Sequence, residues 1–164
     1  MSSNVDMANK ELLSPALGRI SSGVYIATLE QAGEKHGMLA TWIIQVAFNP
    51  PMLALSVQSH REILPYLSVG SKFAVNALSK NNMDIFKAFA KPFQAGEDRF
   101  AGLELSSKSS ASPVFATALS YLDCVVKEHV VAGDHTVILA EVVAGEVLNA
   151  DEPMLHTRKN GFHY

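Results

Sequence analysis

The residue types that do chemistry unaided are sparse in this sequence. Its one cysteine, Cys124, stands in the strand-like apolar run Tyr121–Val126, where a buried, inert thiol is a simpler interpretation than a nucleophile. Six histidines are scattered along the chain. His129 and His135 flank a predicted turn and could in principle approach a metal, but turn or surface positions are the favoured interpretation. We therefore predict no metal site.

The common phosphate-binding and nucleophile motifs are missing from the sequence. No G-x-G-x-x-G follows a predicted strand, and no G-x-x-x-x-G-K-[ST] loop or H-E-x-x-H pair occurs. No G-x-S-x-G elbow occurs either. These absences argue against the common nucleotide-binding loops, zinc proteases and serine hydrolases.

Two segments stand out as candidates for binding. Gly37–Pro51 mixes small, polar and aromatic residues before a rigid double proline. Extended backbone beside Thr41 and Trp42 offers amide groups and a hydroxyl to a planar ligand with polar edges. Trp42 is also explained as a core or interface anchor. The other segment, Met154–Tyr164, is rich in His, Arg, Lys and aromatic residues, which fits either a ligand contact or a solvated basic end.

Alternating and continuous apolar runs predict mostly strands, with short helices between some of them. The sequence Asn49-Pro50-Pro51 is expected to stop its strand, and Ala132–His135 is expected to form a hairpin turn. The predicted strands are Gly23–Glu30 (followed by a turn at 31–35), residues 37–48, Met52–Gln58, Lys72–Leu78, Tyr121–Val131 and Thr136–Leu148. The predicted helices are residues 8–21, weakened by Pro15, Arg61–Val69, and Asn81 to Lys91 with Met83, Phe86, Phe89 and Ala90 on its core face. This order favours a mainly β fold, an antiparallel barrel with peripheral helices.

Composition and charge narrow the class of protein further. The 164 residues fit a single domain, 1–164, with residues 1–16 as an N-terminal arm or helix. A net charge of −3 argues against a nucleic-acid partner. Charged residues make up only 18 % of the chain, against about 25 % in typical domains, which suggests an oligomer. With no membrane-spanning run, no secretory signal and one cysteine, we expect a cytoplasmic protein.

Several short blocks, in order and at consistent spacing from Leu17 to Tyr164, resemble the flavin reductase-like family. That family has the FMN-binding split-barrel fold, and the resemblance includes the flavin reductase module of cyanobacterial diflavin flavoproteins. The blocks are Gly37–Trp42, Gln45–Pro51, Lys72–Leu78, Phe89–Phe93, Asp98–Gly102, Gly133–His135 and Arg158–Tyr164.

The resemblance implies a site and assigns residues to it. Residues 150–164 would close over this site as a C-terminal segment, and His135 would lie on the nicotinamide side as the catalytic candidate. The implied flavin contacts are Leu39, Ala40, Thr41 and Trp42 along the flavin, Phe48 and Asn49 at its pyrimidine edge, Gln58, Ser59 and Arg61 at its phosphate, Phe89, Lys91 and Phe100 lining the cleft, and Arg158, Lys159 and Tyr164 closing it.

The same resemblance implies an activity. It indicates a homodimer that binds FMN, or alternatively FAD, and passes hydride to it from NAD(P)H, supplying a redox partner. Such transfer needs two stacked rings and no acid–base triad. The alternatives are a flavin-binding electron-transfer protein without nicotinamide activity, a haem-binding split barrel and a domain with no cofactor. The flavodiiron and flavodoxin modules of the diflavin proteins have no counterpart in these residues, so electron flow to oxygen or nitric oxide does not carry over.

Overall fold

A computed structural model describes residues 6–109 and 111–164 of the chain, and residues 1–5 of the predicted arm lie outside this description. The chain divides into two compact units. The larger one is Gly23–Met154, and the smaller one combines Met1–Ser22 with Leu155–Tyr164. The single domain 1–164 stays a prediction.

A seven-stranded antiparallel sheet dominates the larger unit. The strands of the chain are β1 (Ser22–Gly23), β2 (Tyr25–Gln31), β3 (Glu34–Ala40), β4 (Ile43–Phe48), β5 (Pro51–Gln58), β6 (Lys72–Ala77), β7 (Leu105–Ser106), β8 (Val114–Phe115), β9 (Ser120–Ala132), β10 (His135–Val147) and β11 (Leu155–His156). Across the large sheet their order is β3-β2-β6-β9-β10-β5-β4, and β7 pairs separately with β8.

The connection between β3 and β4 shows that this sheet is rolled up. The two strands occupy opposite edges of the sheet, yet only Thr41 and Trp42 separate them in the chain. Three Cα–Cα steps of about 3.8 Å span at most about 11 Å. The edges must therefore curl toward each other, leaving a gap that these two residues cross. The predicted continuous strand 37–48 is thus two strands, and the fold is the predicted mainly β split barrel.

Turn chemistry sets two of the hairpins. Ala32 and Gly33 both have positive φ, 53° and 80°, as the two-residue turn between β2 and β3 requires. Gly133, with φ of 62°, helps close the predicted hairpin between β9 and β10. The double proline follows the end of β4 at Phe48, as predicted, and it also leads directly into the next strand. The peptide bond Asn49–Pro50 is cis, and Pro51 is already the first residue of β5, a position that proline tolerates.

The helices agree less well with the predictions. Helix α2 (Met83–Ala90) is confirmed, but its buried residues are Ile85 and Phe89, while Met83 and Ala90 are exposed. Asn82 fixes this rotation, because its side chain accepts from Ser79 N at 2.8 Å and donates to Thr117 O at 2.8 Å. The predicted helix Arg61–Val69 was wrong.

In place of that helix lies a single 3-10 turn, Leu64–Tyr66, within a loop. Pro65 supplies no amide hydrogen and disfavours helical backbone at the residue before it. The 3-10 turn ends at Leu67, whose φ of −93° and ψ of 42° leave the helical region. The loop that follows β5 is therefore mostly irregular.

Two apolar clusters fill the larger unit. One lies among the sheet strands and includes Leu55, Phe73, Val126 and Ile138. The other lies around α2, where Phe89, Phe100 and Phe115 pack ring against ring at centroid distances of 5.2 to 5.7 Å. Cys124 is buried in the first cluster, which confirms its interpretation as a core residue.

The smaller unit consists of helix α1 (Met7–Gly18) and the C-terminal residues. Pro15 lies inside α1, which nevertheless continues to Gly18. Backbone bonds from Gly161 N to Ser14 O (2.8 Å) and from Arg158 N to Gly18 O (3.0 Å) attach the C-terminal segment to the helix. Among the described residues, no helix is long and apolar enough to cross a membrane.

Candidate functional site

The gap between the two edges of the sheet holds the first predicted site residues. Leu39 and Ala40 end β3, and Thr41 and Trp42 cross to β4. Ala40 is buried, whereas the other three are partly exposed. The carbonyl of Trp42 accepts a hydrogen bond from Ser56 N at 3.0 Å. This bond ties the crossing segment to β5 and holds the indole beside the start of β10.

Trp42 packs against His135, the predicted nicotinamide-side residue. Their ring centroids are 4.9 Å apart and the rings are tilted by 37°. His135 is the first residue of β10 and pairs with Gln58, the last residue of β5. Trp42 and His135, which are 93 positions apart in the sequence, thus form one aromatic contact.

The turn after β5 adds the predicted phosphate-binding residues to the same place. Ser59 N donates to Asp134 O at 3.0 Å, which joins this turn to the β9–β10 hairpin. Arg61 N donates to Gln58 O at 3.0 Å and closes the turn. Ser59 is exposed, and Gln58 and Arg61 are partly exposed. The structure therefore brings five predicted residues together: Trp42, Gln58, Ser59, Arg61 and His135.

Two charged neighbours of this cluster were not among the predicted site residues. The side chain of Asp134 lies 2.7 Å from His135 Nδ1. Hydrogen bonding to His135 is the largest cause that lowers the pKa of the Asp134 carboxyl, and the charge of His60 adds to it. The sequence indicated these two residues only by position, because Asp134 precedes His135 and His60 follows Ser59.

An aromatic stack supports the loop that follows Arg61. The rings of His36, on β3, and Tyr66, in the 3-10 turn, lie 4.1 Å apart with planes 24° from parallel. Both residues are partly exposed. The stack holds the loop against β3, the strand that leads into Trp42. Sequence inspection had not singled out either residue.

Phe48 and Asn49 lie at the other end of β4. Phe48 pairs with Pro51 at the hairpin turn, whereas Ile43 pairs with Leu55. Six residues at about 3.3 Å each separate Phe48 from Trp42 by about 20 Å along the strand. The structure therefore does not place Phe48 and Asn49 in the cluster around Trp42. Both are exposed, and their contact with a flavin stays a prediction.

Phe89 and Phe100 occupy the core rather than an open surface. Each is buried, and the two rings meet edge to face at 5.2 Å. Lys91 is exposed at the end of α2, and its carbonyl accepts from Arg99 Nη2 at 2.9 Å. Arg99 also faces the ring of Phe93, with its guanidinium carbon 5.1 Å from the centroid. Core packing explains both phenylalanines, and their role as cleft residues stays a prediction.

The remaining predicted residues belong to the smaller unit. Arg158 is partly buried, and its Nη1 donates to the carbonyls of Gly161 and His163, both at 3.4 Å. Lys159 and Tyr164 are exposed. The C-terminal segment is thus organised around Arg158, and its closure over a site stays a prediction.

Cys124 and His129 lie outside the cluster around Trp42, and each has a structural explanation. Burial, with a smaller contribution from the charge of Asp123, raises the pKa of the Cys124 thiol to about 12. His129 Nε2 lies 2.6 Å from Leu67 O. Among the residues that the structure describes, no three His, Cys, Asp or Glu side chains are grouped as metal ligands would be.

The donors and rings around Trp42 suit a phosphorylated aromatic cofactor. Arg61 offers a charged fork and Ser59 a hydroxyl, the groups that commonly hold phosphate. In the same cluster the indole of Trp42 is partly exposed, and the largely buried ring of His135 packs against it. An aromatic surface beside cationic and hydroxyl donors is the kind of site that binds such a cofactor.

Comparisons with known proteins agree with this description. Residues 17–163 match the family model of the flavin reductase like domain. Diflavin flavoprotein A 1 from Synechocystis is 39 % identical over 154 residues, covering 93 % of this chain and 27 % of its own length. A diflavin flavoprotein from Nostoc, A 6, is 38 % identical over 151 residues, covering 91 % of this chain and 26 % of its own length. This chain belongs to the flavin reductase-like family, and it spans about a quarter of the length of these relatives.

Solved structures show the same fold. The NADH:FAD oxidoreductase SgcE6 from Streptomyces globisporus superimposes with a TM-score of 0.82 at 26 % identity, covering 96 % of this chain and 93 % of its own. The flavin reductase PheA2 gives a TM-score of 0.78 at 28 % identity, covering 93 % and 94 %. The chain has the split-barrel fold of these flavin reductases.

Proposed function

We propose that this chain reduces FMN with a hydride from NAD(P)H. The observation that carries the proposal is the cluster in which the tilted rings of Trp42 and His135 pack beside the turn of Ser59 and Arg61. Its residues come from three separate parts of the sequence, and the family resemblance assigns Trp42, Ser59 and Arg61 to the flavin and His135 to the nicotinamide side. The structure of SgcE6 in complex with NAD and FAD fragments has the same fold, with a TM-score of 0.80 at 26 % identity, and supports both kinds of ligand.

Each residue of the cluster has a distinct proposed role. Arg61 and Ser59 bind the phosphate, where a hydrogen bond to a charged group contributes about 1.5–3 kcal/mol. Trp42 shields one side of the ring system from water, and His135 orients the nicotinamide. The bound flavin supplies the chemistry, because its ring accepts the two electrons and the hydrogen that leave the nicotinamide as hydride.

We also propose that the active form is a homodimer. On β4, which forms an edge of the sheet, the alternate residues Ile44, Val46 and Phe48 are 67 %, 50 % and 90 % exposed. An edge strand with an apolar exposed row and no charge between Ile43 and Phe48 tends to associate. A second copy covering this row would remove it from water and would explain the low charged fraction of the chain.

The visible spectrum tests the proposed function directly. The purified protein is titrated with FMN and with FAD, and the complex is then mixed anaerobically with NADH and with NADPH. We expect FMN to bind and its visible absorbance to bleach with at least one nicotinamide. A colourless protein that takes up neither flavin would refute the proposal.

The same experiment separates the alternatives. FMN that binds but stays oxidised with both nicotinamides would instead indicate an electron-transfer protein reduced by a partner. A Soret band would indicate haem. The acceptor of the electrons, free flavin or a partner protein, is then found by adding oxidised acceptors to the reduced complex.

A further inference from the structure

The β9–β10 hairpin contains an acidic residue whose exposure contrasts with that of its partner. The side chain of Asp134 is 80 % exposed, whereas that of His135 is only 11 % exposed. Nevertheless Asp134 Oδ1 lies 2.7 Å from His135 Nδ1. A solvent-exposed carboxylate thus reaches back to hold the imidazole of a largely buried ring.

The backbone fixes Asp134 in this position. The residue lies in the turn that follows Gly133, between Ala132 and His135, which pair as the last register position of the hairpin. Its carbonyl accepts from Ser59 N at 3.0 Å, so the turn is also attached to the end of β5. The backbone of Asp134 is therefore held both by the hairpin and by the turn after β5, which limits where its carboxylate can lie.

We propose that Asp134 is a positioning residue that fixes the tautomer and the orientation of His135. A carboxylate can only accept hydrogen bonds, so the bond at 2.7 Å requires the proton on Nδ1. Any polar contact that a neutral His135 makes with a nicotinamide is then made by Nε2 as an acceptor. This consequence for the reaction rests on the function proposed above, whereas the tautomer itself does not.

The ring orientation is constrained from the opposite side as well. Trp42 lies 4.9 Å from the imidazole, centroid to centroid, at a tilt of 37°. The carboxylate sets the rotation of the ring about its Cβ–Cγ bond, and the indole limits its tilt. The charge of His60, on the turn after β5, helps to lower the pKa of the Asp134 carboxyl.

A positioning role for Asp134 differs from a structural one in what changes when the carboxylate is removed. A contact with so exposed a carboxylate contributes little to stability, so removing it leaves the fold intact. The tautomer of His135 and the rate of reduction are then the properties that change. Both can be measured without relying on unfolding.

The first test is an NMR measurement of the histidine ring nitrogens in the flavin-free protein, above the pH range in which histidine titrates. The signals of His135 are assigned by their loss in His135→Gln. We expect the Nδ1–H form in the unmodified protein and in Asp134→Asn, which keeps a carbonyl acceptor, and the Nε2–H form in Asp134→Ala. Glu34→Ala, which removes an exposed acid from the β2–β3 hairpin, serves as the control and keeps the Nδ1–H form. An unchanged tautomer in Asp134→Ala would overturn the proposal.

The second test is the kinetics of flavin reduction. We expect Asp134→Ala to slow hydride transfer about tenfold, the lower end for residues that orient a functional histidine, and to change flavin affinity less than about twofold. Asp134→Asn is expected to recover most of the rate. A tautomer change with no change in rate would overturn the role in the reaction. If no flavin binds at all, the proposed function fails, and the NMR result still decides whether Asp134 positions His135.

Discussion

The substitution Gly37→Ala tests how the segment leading into Trp42 is positioned. Gly37 lies on β3, and a Cβ atom there would overlap Cε1 of Phe89 and lie 3.1 Å from Cζ of Phe100. Phe89 cannot turn away freely, because its ring contacts Phe100 at 5.2 Å and Phe115 at 5.7 Å. The close approach of α2 to β3 therefore requires glycine at this position.

Overpacking of this kind costs about 1–3 kcal/mol. With a urea m-value of about 2 kcal/mol per molar, the unfolding midpoint of Gly37→Ala is expected to fall by about 1 M. The assay is urea unfolding followed by the fluorescence of Trp42 and by circular dichroism. Trp42 is the only tryptophan in the chain, so its signal is unambiguous.

A double-mutant cycle identifies the ring responsible. Phe89→Leu creates room where the new methyl group would overlap, so the loss in the double variant should be smaller than the sum of the single losses, by about 0.5–3 kcal/mol. Phe100→Leu is the matched control, because its ring is farther from the added atom, and its coupling should be weaker. If Gly37→Ala leaves the free energy of unfolding unchanged, or if both cycles give equal coupling, the packing argument is wrong.

Three other tests address the remaining features. Arg61→Ala should raise the flavin Kd about 10- to 150-fold, as expected for losing a charged hydrogen bond, whereas Arg19→Ala, at an exposed residue just after α1, should not. Equal effects of the two substitutions would remove Arg61 from the phosphate site. Because the pKa of Cys124 is raised to about 12 from 9.0, the unfolded thiol loses its proton first, so stability should fall as pH rises above 9. Rapid labelling of the native thiol at pH 8 would contradict this. Phe48→Lys should shift the mass in light scattering from dimer toward monomer, whereas Val131→Lys, at another highly exposed residue but on β9, should leave it unchanged. A monomer before substitution would refute the dimer.

Much of the fold could be predicted from the sequence because local patterns determine it. The β9–β10 hairpin follows from two long β-branched runs around Gly133-Asp134, and α2 follows from Asn82 and the apolar residues after it. Local patterns failed at two helices, one turned by a tertiary contact and the other interrupted by a proline. Asn82 is held by Ser79 and Thr117, which rotated α2 away from the predicted face, and Pro65 ended the predicted helix 61–69 after one 3-10 turn.

The sequence alone determined the family, the mainly β class and a set of candidate residues, because these depend on short blocks in a fixed order. Only the tertiary structure decided which candidates meet. The rolled sheet brings its opposite edges together at Thr41 and Trp42, and pairing of β5 with β10 places Gln58 opposite His135. These neighbours are fixed by pairing between strands that are distant in the sequence. Neither the spacing of the residues nor their types reveals that pairing. The pairing of β5 with β10 also places Asp134 beside Ser59. Phe48, in contrast, lies at the hairpin end of β4, away from Trp42.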